Sequence, residues 1–319
     1  MTFYKKLSPF YNLGIFYCII SFILRIALFF HPITQSSFSF FEILKIVSAG
    51  LISDFFVYIL MAFFLWLYMI FISNSKYNKP SGYIILGAFI ILFLYVASGK
   101  SILDEYGGGL PRIALVFIGI KTVLFGLLLF VPKLRNKIRF WLFAFVIFLY
   151  VLLILQNGIS EFFFWNEFGV KYNFIAVNYL IYTNEVIGNI MQSYPVVPIF
   201  SGLFLITGIV TCFILKKSRI YIDEIPNFKT KLKISVIYIV LFLISLVAIP
   251  TLAKTENSKN VFVNELQSNG IYKFYLAFQN NKLDYFKFYE TLPKEKSFAL
   301  LKQQFPNISG QNSIQKIKS

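Results

Sequence analysis

Carboxylates are scarce in this chain, with 14 Asp and Glu against 30 Lys and Arg in 319 residues, for a formal net charge of +16. Histidine occurs once, at His31, and cysteine twice, at Cys18 and Cys212. These shortages exclude a good deal. A single histidine and dispersed carboxylates offer no set with metal-ligand spacing. No Ser or Cys has a base in a recognisable relation to it. Both cysteines fall inside apolar runs, so they form no disulfide framework and read as buried free thiols. Gly107-Gly108-Gly109 follows no strand and reads as a tight turn between helices rather than a phosphate cradle. Asn307-Ile308-Ser309 fits a glycosylation pattern that arises often by chance. The expectation is a chain with no catalytic residues, no metal ligands and no cofactor of its own.

What is present is apolar. Hydrophobic residues make up 58% of the chain, aromatics 20% and charged residues 14%, and the mean hydropathy is +0.71. No water-soluble surface can be built around that composition. The class is all-α, a polytopic membrane bundle. In a soluble protein the basic excess would point to nucleic acid. Here it points to cytoplasmic loops facing anionic lipid, so membrane lipids, anionic phospholipid among them, are the expected partners and nucleic acid is not. Lys5 and Lys6 precede an apolar run long enough to span, and no small-residue cleavage pattern follows it. The N-terminus therefore reads as a retained helix rather than a signal peptide.

Seven stretches approach the length needed to cross about 30 Å of hydrocarbon at about 1.5 Å per residue. They are Leu13–Phe30, Ala49–Ile72, Tyr83–Ala97, Ile113–Val131, Phe140–Gln156, Pro198–Leu215 and Ile234–Leu252, the third being short. Phe40–Val47 reads as an amphipathic approach along the surface. Basic residues alternate in phase with seven crossings. Lys5/Lys6, Lys76/Lys79, Lys133–Arg139 and Lys216–Lys233 fall on one side, while Asp104, Glu105, Glu161, Glu167 and Glu185 fall on the other. The positive-inside rule then puts the N-terminus in the cytoplasm and everything after Leu252 outside. A five-helix count gives the same outcome. Residues 1–252 form the membrane domain, with an external loop at 158–197, and 253–319 form an extracytoplasmic stalk. In the stalk, Lys254–Asn260 is a polar hinge, Asn269-Gly270 divides Phe262–Leu283 into two short helices, and Lys294–Phe305 is another. Pro306–Ser319 is polar and loose.

Three ionisable residues sit within spans, where each costs about 2.5–3.5 kcal/mol at a helix centre unless partnered. Arg25 and Asp54 lie at matching depths in the first two helices, so an ion pair between them is expected, serving either helix packing or a lipid headgroup. Lys121 lies near mid-span with no evident partner, and either snorkels or faces a polar cavity.

The most distinctive stretch is Glu161–Pro195, which mixes aromatics with Glu161, Glu167, Glu185 and Lys171. By itself it reads as an interfacial loop, two short helices lying on the bilayer. Phe162–Trp165 would then sit in the interface and the three carboxylates would face water. Its runs Glu161, Glu167-Phe168, Asn173-Phe-Ile-Ala-Val177, Tyr179-Leu-Ile-Tyr182, Glu185-Val186, Asn189-Ile190 and Ser193-Tyr194-Pro195 resemble the external loop of lipoteichoic-acid-synthase-like phosphoglycerol transferases. These are membrane-anchored members of the alkaline phosphatase and sulfatase superfamily. A second block agrees, with Asn264-Glu265-Leu266, Asn269-Gly270-Ile271-Tyr272, Phe274-Tyr275, Ala277-Phe278 and Leu283-Asp284-Tyr285. The chain departs from the pattern at Asn178, where an acidic residue is expected, and at Lys171, where Arg is more usual.

The resemblance implies a bacterial cytoplasmic-membrane protein and an external catalytic domain with a metal-activated threonine. The divalent metal would belong to that domain. Ser309–Ser319 resembles the linker before it, so the expectation is the anchor half of a transferase or hydrolase, truncated or split, with the sulfatase-like domain as a separately encoded partner. Glu161, Trp165, Glu167, Lys171, Asn173, Tyr182, Glu185 and Asn189 are the candidates for meeting lipid headgroups or docking that domain, with Lys273, Lys282 and Lys287 offering complementary charge. The alternative is a stand-alone multi-pass protein, either a transporter or a lipid-binding scaffold. A transporter would want broken helices and inverted repeats, and no repeat is visible.

Overall fold

A computed structural model describes residues 7–105, 109–219, 221, 225–280 and 292–304. Long apolar runs in water-free surroundings must satisfy their backbone internally, and they do so as helices. Seven helices are long and apolar enough to cross a membrane, and no strand occurs among the described residues. This is a multi-pass membrane protein.

The helices run α1 (Ser8–Phe29), α2 (Phe40–Met61), α3 (Phe63–Phe71), α4 (Ser81–Ala97), α5 (Ile102–Glu105), α6 (Leu110–Phe130), α7 (Pro132–Phe168), α8 (Phe174–Ile181), α9 (Thr183–Ser193), α10 (Val196–Ser218) and α11 (Phe228–Ala253). They continue with α12 (Val261–Gln267), α13 (Gly270–Asn280) and α14 (Lys294–Gln304). Helix α1 is central, packing on α2, α7 and α10, and α11 closes on the far side of α2. Leu13, Tyr17, Val57, Phe143, Ile147 and Val151 fill the space between them. The α4–α6 hairpin leans on α7 from outside this group, around its own small core of Tyr77, Phe125, Leu128 and Leu129.

Two boundaries differ from the sequence reading. The expected surface approach at Phe40–Val47 is the first half of a single 22-residue helix. Ser39 caps it, accepting from the Glu42 amide while the Glu42 carboxylate accepts from Ser39, a reciprocal pair that starts a helix firmly. The expected span Ala49–Ile72 instead breaks at Ala62. The Tyr150 hydroxyl enters the helical ladder there, donating to the Met61 carbonyl (3.1 Å) and accepting from the Leu65 amide (2.9 Å). One rung is thereby replaced by a side chain from another helix, a recognised cause of kinks. Tyr238 satisfies the nearby Ile59 carbonyl at 2.9 Å.

The second difference is in α7. The loop expected from residue 158 does not begin there, because the helix runs on to Phe168 and ends at Gly169, which adopts φ 65°. Beyond Ile154, Gly158, Glu161 and Trp165 recur at helical spacing and keep one face against the bundle, and that buried stripe outweighs the helix-weakening Asn157-Gly158. Gly158 would place a Cβ 3.4 Å from Ile20 of α1. After the turn, α8 and α9 present Leu180, Ile181, Ile187 and Met191 on the surface. The polar stretch at 254–260 and the paired helices α12 and α13 lie where the sequence places them, and α14 begins at Lys294 as expected. Segment 306–319, the sequon, Lys5, Lys6, Lys282, Lys287, Gly107 and Gly108 lie outside the described residues.

The bundle has chemically distinct ends. At one, four successive carbonyls at the end of α3 receive cations. Lys231 donates to Ile70 (2.8 Å) and to Ile72, Lys76 to Phe71 (2.8 Å), and Arg139 to Ser73 (2.9 Å). A helix C-terminus favours positive charge. Lys76 lies between the spanning segments, and burial, with the Arg139 guanidinium second, pushes its ammonium down to about 8. The folded state thus binds fewer protons than the unfolded one between pH about 8 and the ordinary lysine value of 10.5, so this group makes stability rise with pH across that window. In a sample with 13C-methylated lysines, the Lys76 signal should titrate near pH 8. A midpoint at the ordinary lysine value would contradict the burial seen here.

Lys121, on α6, is exposed on the bundle surface with its ammonium 5.5 Å from the Phe117 ring centroid. His31, just past α1, packs edge-on against Phe162 at 5.6 Å.

Candidate functional site

At the opposite end, the turn between α12 and α13 is seated on α1, α2 and α7 and meets four charged side chains buried below it. Arg25 of α1 and Asp54 of α2 form the first pair, Nη2 to Oδ2 at 2.9 Å, with side chains 3% and 1% exposed. Lys171, in the turn after α7, forms the second with Glu161, Nζ to Oε1 at 2.9 Å. Ion pairs this deep are strained in free energy unless their remaining valences are hydrogen-bonded. The α12–α13 turn supplies part of those bonds without adding charge, while Arg25 Nη1 stays buried with no hydrogen-bond partner among the described residues. Arg25 Nε donates to the Leu266 carbonyl at 2.8 Å, and Lys171 Nζ donates to the Ser268 carbonyl at 2.8 Å. Both acceptors belong to the unpaired carbonyls at the end of α12.

Asn269 completes the junction. Its Nδ2 donates to Asp54 Oδ1 (2.7 Å) and Tyr17 Oη (2.8 Å), while its Oδ1 accepts from the Tyr272 amide in the first turn of α13. One side chain therefore both starts a helix and fastens it to the bundle. Gly270 follows because nothing larger fits. A Cβ there would lie 2.0 Å from Glu161 Oε2. The Glu161 carboxylate thus sits against the first residue of α13, where the helix dipole favours an anion. Gly50 plays the same part on α2, where a Cβ would lie 2.4 Å from the Arg25 guanidinium carbon.

Around this junction, Leu28, Ile46, Trp165, Val263 and Leu266 form an apolar collar. Outside it, Glu265 accepts from the Lys171 amide (2.9 Å) and pairs with Lys273 (2.5 Å). A cavity of about 10 Å3 remains between Tyr17, Arg25, Asp54, Glu161 and Asn269. Among the described residues, no three His, Cys, Asp or Glu side chains converge as metal ligands would.

The candidate residues divide into three groups. Arg25, Asp54, Glu161 and Lys171 meet in the junction. Glu167 and Asn189 both line a second feature, a cleft of about 610 Å3 between α7, α8, α9 and α10. The rest stand apart. Asn173 caps α8, its Oδ1 accepting from Ile175 at 2.9 Å, and Tyr182 and Glu185 are exposed around the start of α9. Two expectations are corrected. Glu161 does not face water, because it is the buried partner of Lys171, and Trp165 does not anchor in the interface, because it is fully buried in the collar. Lys273 is engaged by Glu265. Sequence reasoning missed Tyr17, Asn269, Gly270, Gly50 and the two carbonyls as members of the junction. Only Asn269-Gly270 carried a signal, as a helix breaker between two apolar runs. No protein-family model, curated protein or solved structure matches the chain.

Proposed function

We propose that this chain is the membrane-anchor portion of a cell-envelope phosphoglycerol transferase or sulfatase-like hydrolase, holding an external catalytic unit at a fixed height over lipid headgroups. The observation that carries the reading is the junction itself. Glu161, Glu265, Leu266, Asn269 and Gly270 are positions on which the family resemblance rests, and they meet at one place although they come from two distant blocks. A flexible tether would need no such fastening. A segment meant to set the distance and orientation of a reaction would, because misplacement by about 1 Å is costly in catalysis.

In this reading the basic end of the bundle faces the cytoplasm and the junction end faces outward, as the positive-inside rule requires. The lipid membrane is a structural partner, and any divalent metal belongs to the catalytic unit.

Two measurements test it. A reporter active only outside the cytoplasm should work when fused after Asn260 and fail after Arg139 or Lys217; activity at Arg139 would invert the orientation. Deleting the gene should also abolish transfer of labelled glycerol phosphate from membrane lipid to the envelope in isolated membranes. Undiminished transfer would remove the transferase reading and favour the stand-alone scaffold.

A further inference from the structure

The cleft between α7, α8, α9 and α10 is independent of that reading. Its apolar floor is built from Phe163, Phe164, Ile199 and Phe200, where α7 and α10 part, and Val186 and Ile190 of α9 cover it. Its volume of about 610 Å3 lies in the range of about 300–1,000 Å3 typical of small-molecule sites. The polar groups on its wall are uncharged donors and acceptors, Gln156, Asn157, Ser160, Asn189 and Ser193, with one exception, Glu167. Tyr194 donates its hydroxyl to Glu167 Oε1, and that bond raises the phenol above its ordinary range, so Tyr194 stays a donor at neutral pH. Among the described residues, no Lys or Arg lines the cleft.

That combination selects a ligand. An apolar floor at the edge of the spanning helices takes hydrocarbon chains. Amides and hydroxyls around a carboxylate take a hydroxyl-bearing headgroup. A carboxylate at the exposed rim, with no cation beside it among the described residues, repels a phosphate. We propose that the α7–α10 cleft binds an uncharged, hydroxyl-bearing membrane lipid, its chains between α7 and α10 and its hydroxyl at the Glu167 and Asn189 rim, and that it discriminates against anionic phospholipid.

Photoreactive, clickable diacylglycerol and an equally photoreactive anionic phospholipid, each present at the same mole fraction in nanodiscs holding the purified chain, provide the test. Diacylglycerol should label residues 156–200 at least fivefold more than the anionic probe. Val186→Trp fills the cleft from α9, a helix with no buried residue, and should cut that labelling by at least fivefold while leaving labelling around exposed Ile120 on α6 unchanged. Glu167→Gln keeps hydrogen bonding but removes the charge, and should raise labelling by the anionic probe toward that of diacylglycerol. Equal labelling of the wild type by both probes, or labelling that survives Val186→Trp, would overturn the proposal. So would an anionic signal unmoved by Glu167→Gln.

Discussion

Gly270→Ala should unseat the α12–α13 pair from the bundle without unfolding the spanning helices. The added methyl would stand 2.0 Å from Glu161 Oε2 and 2.5 Å from its Cδ, so one of the two groups has to leave. Moving α13 breaks the Asn269 bonds to Asp54 and Tyr17. Moving the carboxylate breaks the pair with Lys171. Overpacking costs about 1–3 kcal/mol, and loss of a partner from a buried pair about 3–5 kcal/mol. The cheaper escape is for the helix pair to lift, since it is joined to α11 only by the short stretch 254–260. Trypsin cleavage at Lys254, Lys259 and Lys273 in nanodiscs should then accelerate at least tenfold. Gly208→Ala, which meets nothing within 4 Å, should leave cleavage unchanged. Protection equal to wild type in Gly270→Ala would mean that the seat seen here is not the resting state.

A second large effect is expected at Arg25 and Asp54. Arg25→Leu leaves Asp54 facing only Asn269, and Asp54→Leu leaves Arg25 facing only the Leu266 carbonyl. Each strands a charge that is at most 3% exposed, a loss of about 3–5 kcal/mol. The double replacement strands none, so it should be milder than either single one, and the coupling should exceed the roughly 0.3–0.5 kcal/mol scatter of independent sites. Melting in detergent across the three variants gives the answer. Additive losses would show that the two charges do not share one energetic unit.

The membrane architecture was legible in composition and run length, because a chain this apolar has few other ways to satisfy its backbone. The depth match of Arg25 and Asp54 was legible for the same reason, since a buried charge demands a partner at its own height. Glu161 and Trp165 were misread because flanking aromatics and carboxylates look alike whether they face the headgroups or a neighbouring helix. What decided between the two was the unbroken stripe from Ile154 to Trp165, visible only once α1 and α12 stand beside it. The break at Ala62 was hidden for a different reason. Its cause, the Tyr150 hydroxyl, lies 85 residues from Leu65 along the chain, so nothing local to α2 announces it. Asn269 could be read as a helix breaker but not as a fastener, because both of its main partners lie on the first two helices.

The arrangement of the junction also has a consequence in time. Chains emerge from the ribosome N-terminus first, at about 5–20 residues per second. Arg25 and Asp54 lie on the first two helices to insert, and Glu161 and Lys171 flank a single turn, so each charge can be neutralised by a companion made shortly before or after it. The groups that arrive last, Leu266, Ser268 and Asn269, are 241, 97 and 215 residues away from the side chains they serve, and each offers only an uncharged carbonyl or amide. The nascent protein therefore never has to hold a lone ion in the bilayer while waiting for its C-terminal segment. Closure of the junction becomes a late, electrically neutral event that can wait until every helix is in place.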